Sequence, residues 1–141
     1  MRRIAFWIAA AFVFAMVYRS LGGASRSSTQ WPPRTTLASF MSDELQGLTM
    51  ADGEPFDKAK FTCASWDYPL HTVLTLQHGD NTCLVEVTDR GPGLKAQRMG
   101  IWLDLSEAAF DKLASANEKK TGHVSVSIVG VETPENKRKT Q

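Results

Sequence analysis

Val85-Glu86-Val87-Thr88-Asp89-Arg90-Gly91-Pro92-Gly93 runs an alternating apolar stretch into a turn that glycine and proline force. It sets an aspartate at the end of a strand, where rigid backbone presents the carboxylate at a rim. Upstream, Cys83, Leu84, Val85 and Val87 extend the same run, and Val73, Leu74 and Leu76 form another. His78-Gly79-Asp80-Asn81 between them has turn composition, so the two runs predict a β-hairpin. Downstream, Trp102-Leu103-Asp104-Leu105-Ser106 brings a second acid to a strand-to-helix junction. Ser106 or Asp104 can cap a helix whose Ala109, Phe110, Leu113 and Ala114 recur at helical spacing, and Thr121-Gly122 ends the region. A last strand is expected over residues 123–131, where Val124, Val126 and Ile128 alternate with Ser125 and Ser127. Short strands with a short helix predict a closed or nearly closed β architecture, which also leaves no exposed sheet edge.

The chain of 141 residues has room for one domain. Residues 1–24 carry Arg2 and Arg3, an apolar run over residues 4–18, and then Gly22-Gly23-Ala24, the layout of a secretory signal. Fifteen helical residues reach about 22 Å against an apolar bilayer core of about 30 Å, which favours a cleaved leader over a membrane tether through residues 4–18. Export to the periplasm or cell surface is the expectation. The formal charge is +1, but without Arg2, Arg3 and Arg19 acids outnumber bases, which argues against a nucleic-acid partner. Residues 25–36 read as a linker and residues 133–141 as a disordered basic tail, leaving residues 37–132 as the domain.

Two cysteines, Cys63 and Cys83, either pair in an oxidising compartment or stay as buried thiols. Without a local histidine pair they fall short of a zinc ligand set, and no metal site is expected. Glycosidic cleavage needs a proton donor at the leaving oxygen and a second carboxylate to steady the cationic sugar centre. Asp89, Asp104 and the Glu54 of Asp52-Gly53-Glu54 lie at element ends where they could supply these roles. As an alternative to a chemical role, Asp104 caps the helix or pairs with Arg90.

Asp52-Gly53-Glu54-Pro55-Phe56-Asp57, Phe61-Thr62-Cys63-Ala64-Ser65, Tyr68-Pro69-Leu70-His71-Thr72, Thr88-Asp89-Arg90-Gly91-Pro92 and Leu103-Asp104-Leu105-Ser106 follow in one order. In that order and spacing the chain resembles the rare lipoprotein A family over essentially the whole domain, and is similar to the barrels of expansins and barwin-like endoglucanases. The resemblance implies a mostly-β, six-stranded double-psi β-barrel with one or two short helices. It also implies a lytic transglycosylase acting on peptidoglycan glycan strands, with no metal or cofactor. Carried over by position, Asp89 matches the family's catalytic aspartate and Glu54 its important glutamate. Asp104, as a third candidate catalytic residue, either assists them or holds the loop.

The family's histidine falls on Ser65, and serine cannot carry a proton near neutral pH as imidazole does. His71, six residues on, stands at the family's glycine and reads as a surface residue. The departure keeps a second reading open, a noncatalytic wall-binding or expansin-like module that grips glycan through Trp66, Tyr68 and a groove beside Asp89, with Arg90 a further candidate for substrate binding. Flat rings stack on sugar faces while their polar edges stay wet. Trp102, between Ile101 and Leu103, reads as a core residue instead.

Overall fold

The computed structural model describes residues 34–139, so the leader expected over residues 1–24 and the linker up to residue 33 lie outside the described residues. Strands β1 (Arg34–Phe40), β2 (Thr62–Ala64), β3 (Val73–His78), β4 (Asn81–Asp89), β5 (Ile101–Leu105) and β6 (Val124–Glu132) close into a barrel in the order β1-β5-β2-β4-β3-β6. β1 pairs β5 and β2 pairs β4 in parallel, and the remaining neighbours are antiparallel. This is the six-stranded mixed barrel that the double-psi resemblance implies.

Alternation fills the interior. Leu74, Leu76, Val85, Val87, Leu103 and Leu105 point inward and are buried, each such side chain contributing about 1.5–3 kcal/mol. Phe110 and Leu113 join the same core from the helix after β5. Ser106 caps that helix, its hydroxyl accepting from the Ala109 N–H, while Asp104 does not cap it.

Two expectations are corrected. The one or two helices become four short ones, α1 (Leu94–Arg98), α2 (Glu107–Leu113), α3 (Ala116–Thr121) and α4 (Pro134–Lys139), with a 3-10 turn at Asp43–Leu45. α3 is started by a reciprocal Ser115/Glu118 capping box. In α4, Pro134 opens the first turn with Glu135, and Lys137, Arg138 and Lys139 sit in the last, charges that complement the helix dipole where a disordered tail was expected. At the other end, residues 34–36 belong to β1 rather than to a linker, because Thr36 and Ala38 fill the interior in place of large apolar residues.

Of the two alternatives for the cysteines, the structure has the buried thiols and not the disulfide. Cys63 and Cys83 are both free and buried. Cys63 pairs in register with Val87, four residues along β4 from Cys83. At about 3.3 Å per residue that separation is about 13 Å, well past the roughly 7 Å that a disulfide can span. Burial raises both thiols above their ordinary value of 9.0.

Candidate functional site

Ala64 faces away from the barrel interior and belongs to a second apolar cluster with Met41, Met50 and Phe56. It pairs with Asp89 of β4 on one side and with Asp104 of β5 on the other, and Asp104 pairs in turn with Ser39 of β1. Ser39, Asp104, Ala64 and Asp89 therefore form one row across four strands. With adjacent strands about 4.8 Å apart, the two aspartates are about 10 Å apart at Cα. A bulge makes this row: the β2·β4 register shifts between Cys63 and Ala64, so that Asp89 rather than Thr88 comes opposite Ala64.

Each aspartate has one oxygen held by described residues and one that is not. Asp89 Oδ1 accepts from the Ala51 N–H at 3.0 Å and the Arg90 N–H at 2.8 Å. Asp104 Oδ1 accepts from the Ser39 hydroxyl. Among the described residues, neither Oδ2 has a hydrogen-bond partner, and Asp89, Asp104 and Glu54 make no ion pair. Gly91 folds over the row: a Cβ there would lie 3.2 Å from Ala64 Cβ and 3.8 Å from Asp104 Oδ2, so a side chain would crowd Ala64 and the Oδ2 side of Asp104.

The loop after β1 covers one flank. It folds on itself as a small ribbon, with Gly47 N–H donating to Phe56 O at 2.8 Å, Phe56 N–H to Leu48 O at 2.8 Å and Met50 N–H to Glu54 O at 2.9 Å. Lys58 pins the loop's end to Asp43 at 2.9 Å and to Glu107 of α2 at 3.1 Å, and these carboxylates raise the ammonium above its ordinary value, Asp43 foremost. Between loop and barrel lies a cleft of about 110 Å³ lined by Met41, Leu45, Leu48, Thr49, Met50, Phe56 and Asp89. Glu54 stands exposed three residues after Ala51, and its carboxylate bonds to no described residue. The structure thus brings Asp89 and Asp104 into one row and leaves Glu54 on the loop beside it.

The other named residues divide. Arg90 donates to Ser65 O at 2.8 Å and Tyr68 O at 2.7 Å, so its guanidinium clamps the segment after β2 and does not pair with Asp104. Tyr68 is buried in the barrel core, which raises its hydroxyl above the ordinary value of 10.0, and so it does not offer a ring face to a ligand. Trp66 is 58% exposed, its indole N–H fixed on Pro92 O at 2.9 Å. Ser65 is buried, its N–H donating to Asp89 O at 3.1 Å. His71 is exposed beside Glu86 at 2.8 Å and lies outside the row.

Two features escaped the sequence reading. Trp102 is on the outer face with Asp104, 37% exposed, with the Arg34 guanidinium 5.3 Å from its ring centre and Arg34 held by Asp67 at 2.6 Å. Strand alternation carries that signal, since a residue between the inward Ile101 and Leu103 must point out. Ser39 carries no local signal, because its role depends on the long-range β1·β5 pairing.

Residues 37–128 match the family described as "Lytic transglycolase". No curated protein sequence matches the chain. Among solved structures, the chain is similar to the apo form of an expansin from Clavibacter michiganensis, with 29% identity and a TM-score of 0.53 over 73% of this chain and 52% of that one. The chain spans about half of that expansin's length. It is also similar in fold to the Streptomyces papain inhibitor, with 24% identity and a TM-score of 0.52 over 68% of this chain and 91% of that one.

Proposed function

The chain belongs to the lytic transglycolase family of double-psi β-barrels, and from that membership we propose that it cleaves the glycan strands of bacterial peptidoglycan as a lytic transglycosylase. The observation that carries this reading is the row in which Asp89 and Asp104 flank Ala64, each with one carboxylate oxygen fixed and the other without a hydrogen-bond partner among the described residues. In this reading protonated Asp89 delivers its proton to the glycosidic oxygen as the bond to the muramyl anomeric carbon breaks. The muramyl 6-hydroxyl then bonds to that carbon and returns its proton to Asp89, so a 1,6-anhydro end forms and no water is consumed. The Asp104 carboxylate steadies the positive charge that builds at the anomeric centre. Glu54, on the loop whose Ala51 N–H holds Asp89, supports the same site.

The two amide donors on Asp89 Oδ1 direct the other oxygen toward a ligand, which is the positioning an acid/base group needs. Ser65, at the family's histidine position, is buried and tied to Asp89 through the backbone, so the mechanism proposed here uses carboxylates alone. Export through residues 1–24 belongs to this proposal, since the substrate lies outside the cytoplasm. The test is release of soluble muropeptides from purified peptidoglycan by the whole chain, with intact walls and walls stripped of stem peptides. Asp89→Asn abolishes release if the reading is right, and equal release by the variant overturns it.

A second reading, a noncatalytic wall-binding module, draws support from Trp66 and Trp102, two exposed indoles whose positions are fixed by Pro92 O and Arg34. Sedimentation of the protein with walls, lost in a Trp66→Ala/Trp102→Ala variant and without any soluble product, would favour it.

A further inference from the structure

Large apolar side chains on the outside of the domain gather at one turn. The segment after Asp89 leads into α1, in which no residue is buried, and there Leu94 is 72% exposed and Met99, which ends the helix, 57%. Trp66 lies against the same turn, because its indole N–H and the Gln97 side-chain amide both donate to Pro92 O, at 2.9 Å and 2.8 Å. Leu94 and Met99 add nothing to the core, so folding does not account for them. Their charged neighbours are of one sign: residues 90–103 hold Arg90, Lys95 and Arg98 and no acid, although acids outnumber bases in the domain as a whole. Arg90 is committed to Ser65 O and Tyr68 O, which leaves the exposed Lys95 and Arg98 facing solvent. The exposed Leu45 and Leu48 of the covering loop follow Asp43 and Glu44 instead.

From this we infer that α1 is a docking surface for an anionic phospholipid bilayer, with Leu94 and Met99 entering the boundary between headgroups and acyl chains while Lys95 and Arg98 meet the phosphates. Apolar side chains flanked by bases and free of acids are what that boundary selects, each base strengthening partition onto an anionic surface about fivefold. A second copy of the chain fits less well, since a twofold contact sets Lys95 and Arg98 against their own equivalents. Connectivity agrees with a bilayer. Residues 1–33 join the domain at Arg34, and β1 starts beside α1: the Thr36 hydroxyl donates to Gly100 O at 3.5 Å, and Leu37 pairs with Ile101. Residues 19–33 extend at most about 50 Å, so a bilayer that holds the apolar run over residues 4–18 lies within that reach of the end of the barrel bearing α1. Lipid docking needs neither the carboxylate row nor glycan cleavage.

The test uses the whole chain carrying Leu94→Cys, Met99→Cys or, as a control, Leu84→Cys, which is 60% exposed on β4, two strands from β5. An environment-sensitive fluorophore is attached to the introduced thiol, Cys63 and Cys83 being buried. Vesicles of phosphatidylglycerol and phosphatidylcholine in equal parts, or of phosphatidylcholine alone, are then added. Expected are a blue shift of emission at positions 94 and 99 with the mixed vesicles, none at position 84 and none with phosphatidylcholine alone, and loss of the shift at position 94 when Lys95→Glu and Arg98→Glu are added. Sedimentation with the mixed vesicles while the probe at position 94 stays in water assigns membrane binding to residues 4–18 alone and overturns the docking surface. No binding at all, an equal shift at position 84, or an equal shift with phosphatidylcholine alone overturns it as well. A shift without vesicles that grows with protein concentration gives the face to a second copy and overturns it too.

Discussion

Asp104 owes its orientation to a single described donor, the Ser39 hydroxyl on the neighbouring strand. Ser39→Ala removes that donor from a half-buried carboxylate, and a hydrogen bond to a charged group is worth about 1.5–3 kcal/mol. The expected result is a drop in the rate of product release of about tenfold with a melting temperature within a few degrees of the parent. A large fall in stability without a change in rate would assign Ser39 to folding alone. At this scale the sequence exposes Asp89 and Asp104 through their neighbours, a Gly-Pro turn in one case and a helix cap in the other. It misleads on Tyr68 and Trp102, because polar neighbours do not keep Tyr68 out of the core and apolar neighbours do not draw Trp102 into it. Arg90 is misread for a related reason: its partners are backbone carbonyls, Ser65 O and Tyr68 O, which no side-chain pattern announces.

Elements with strong alternation are legible and the others are not. The hairpin turn expected around residues 78–81 falls between β3 and β4, and the strand expected over residues 123–131 is β6 within a residue at each end. β1 hides because its inward residues are Thr36 and Ala38, so the large apolar residues that mark the other strands are missing from it. α3 was legible in principle from Ser115 and Glu118, a capping box three residues apart. The β3·β6 contact is tight at one point. A Cβ on Gly130 would stand 2.8 Å from Thr75 Oγ1 and 3.1 Å from Thr75 Cβ, and the two residues are register partners. Gly130→Ala is therefore expected to destabilise by about 1–3 kcal/mol, read as the midpoint of chemical denaturation. Adding Thr75→Ala should recover part of the loss, and a neutral Gly130→Ala would refute the packing described.

Across the whole molecule, closure of the barrel places the row and the cleft on the outside of the wall while the thiols face the inside. Cys63 and Cys83 are held apart by the β2·β4 register, and burial raises both above their ordinary range. Thiol titration is expected to find no reactive cysteine in the native chain and two per chain after denaturation without reductant. Absence of thiols in the denatured chain would contradict the register. Neither the bulge at Cys63/Ala64 nor the covering loop is written in any local motif, which is why the acids could be named from sequence and their arrangement could not. The bulge brings Asp89 opposite Ala64, and the loop supplies the Ala51 N–H that holds it.

The most direct test of the central claim, that the Asp89–Ala64–Asp104 row breaks a glycan strand by internal attack of a hydroxyl, is mass spectrometry of the products formed by the whole chain in water enriched in oxygen-18. The account predicts soluble products one water lighter than hydrolysed ends, carrying no heavy oxygen and missing with Asp89→Asn. Heavy oxygen at the new reducing ends, or products undiminished by Asp89→Asn, would contradict it.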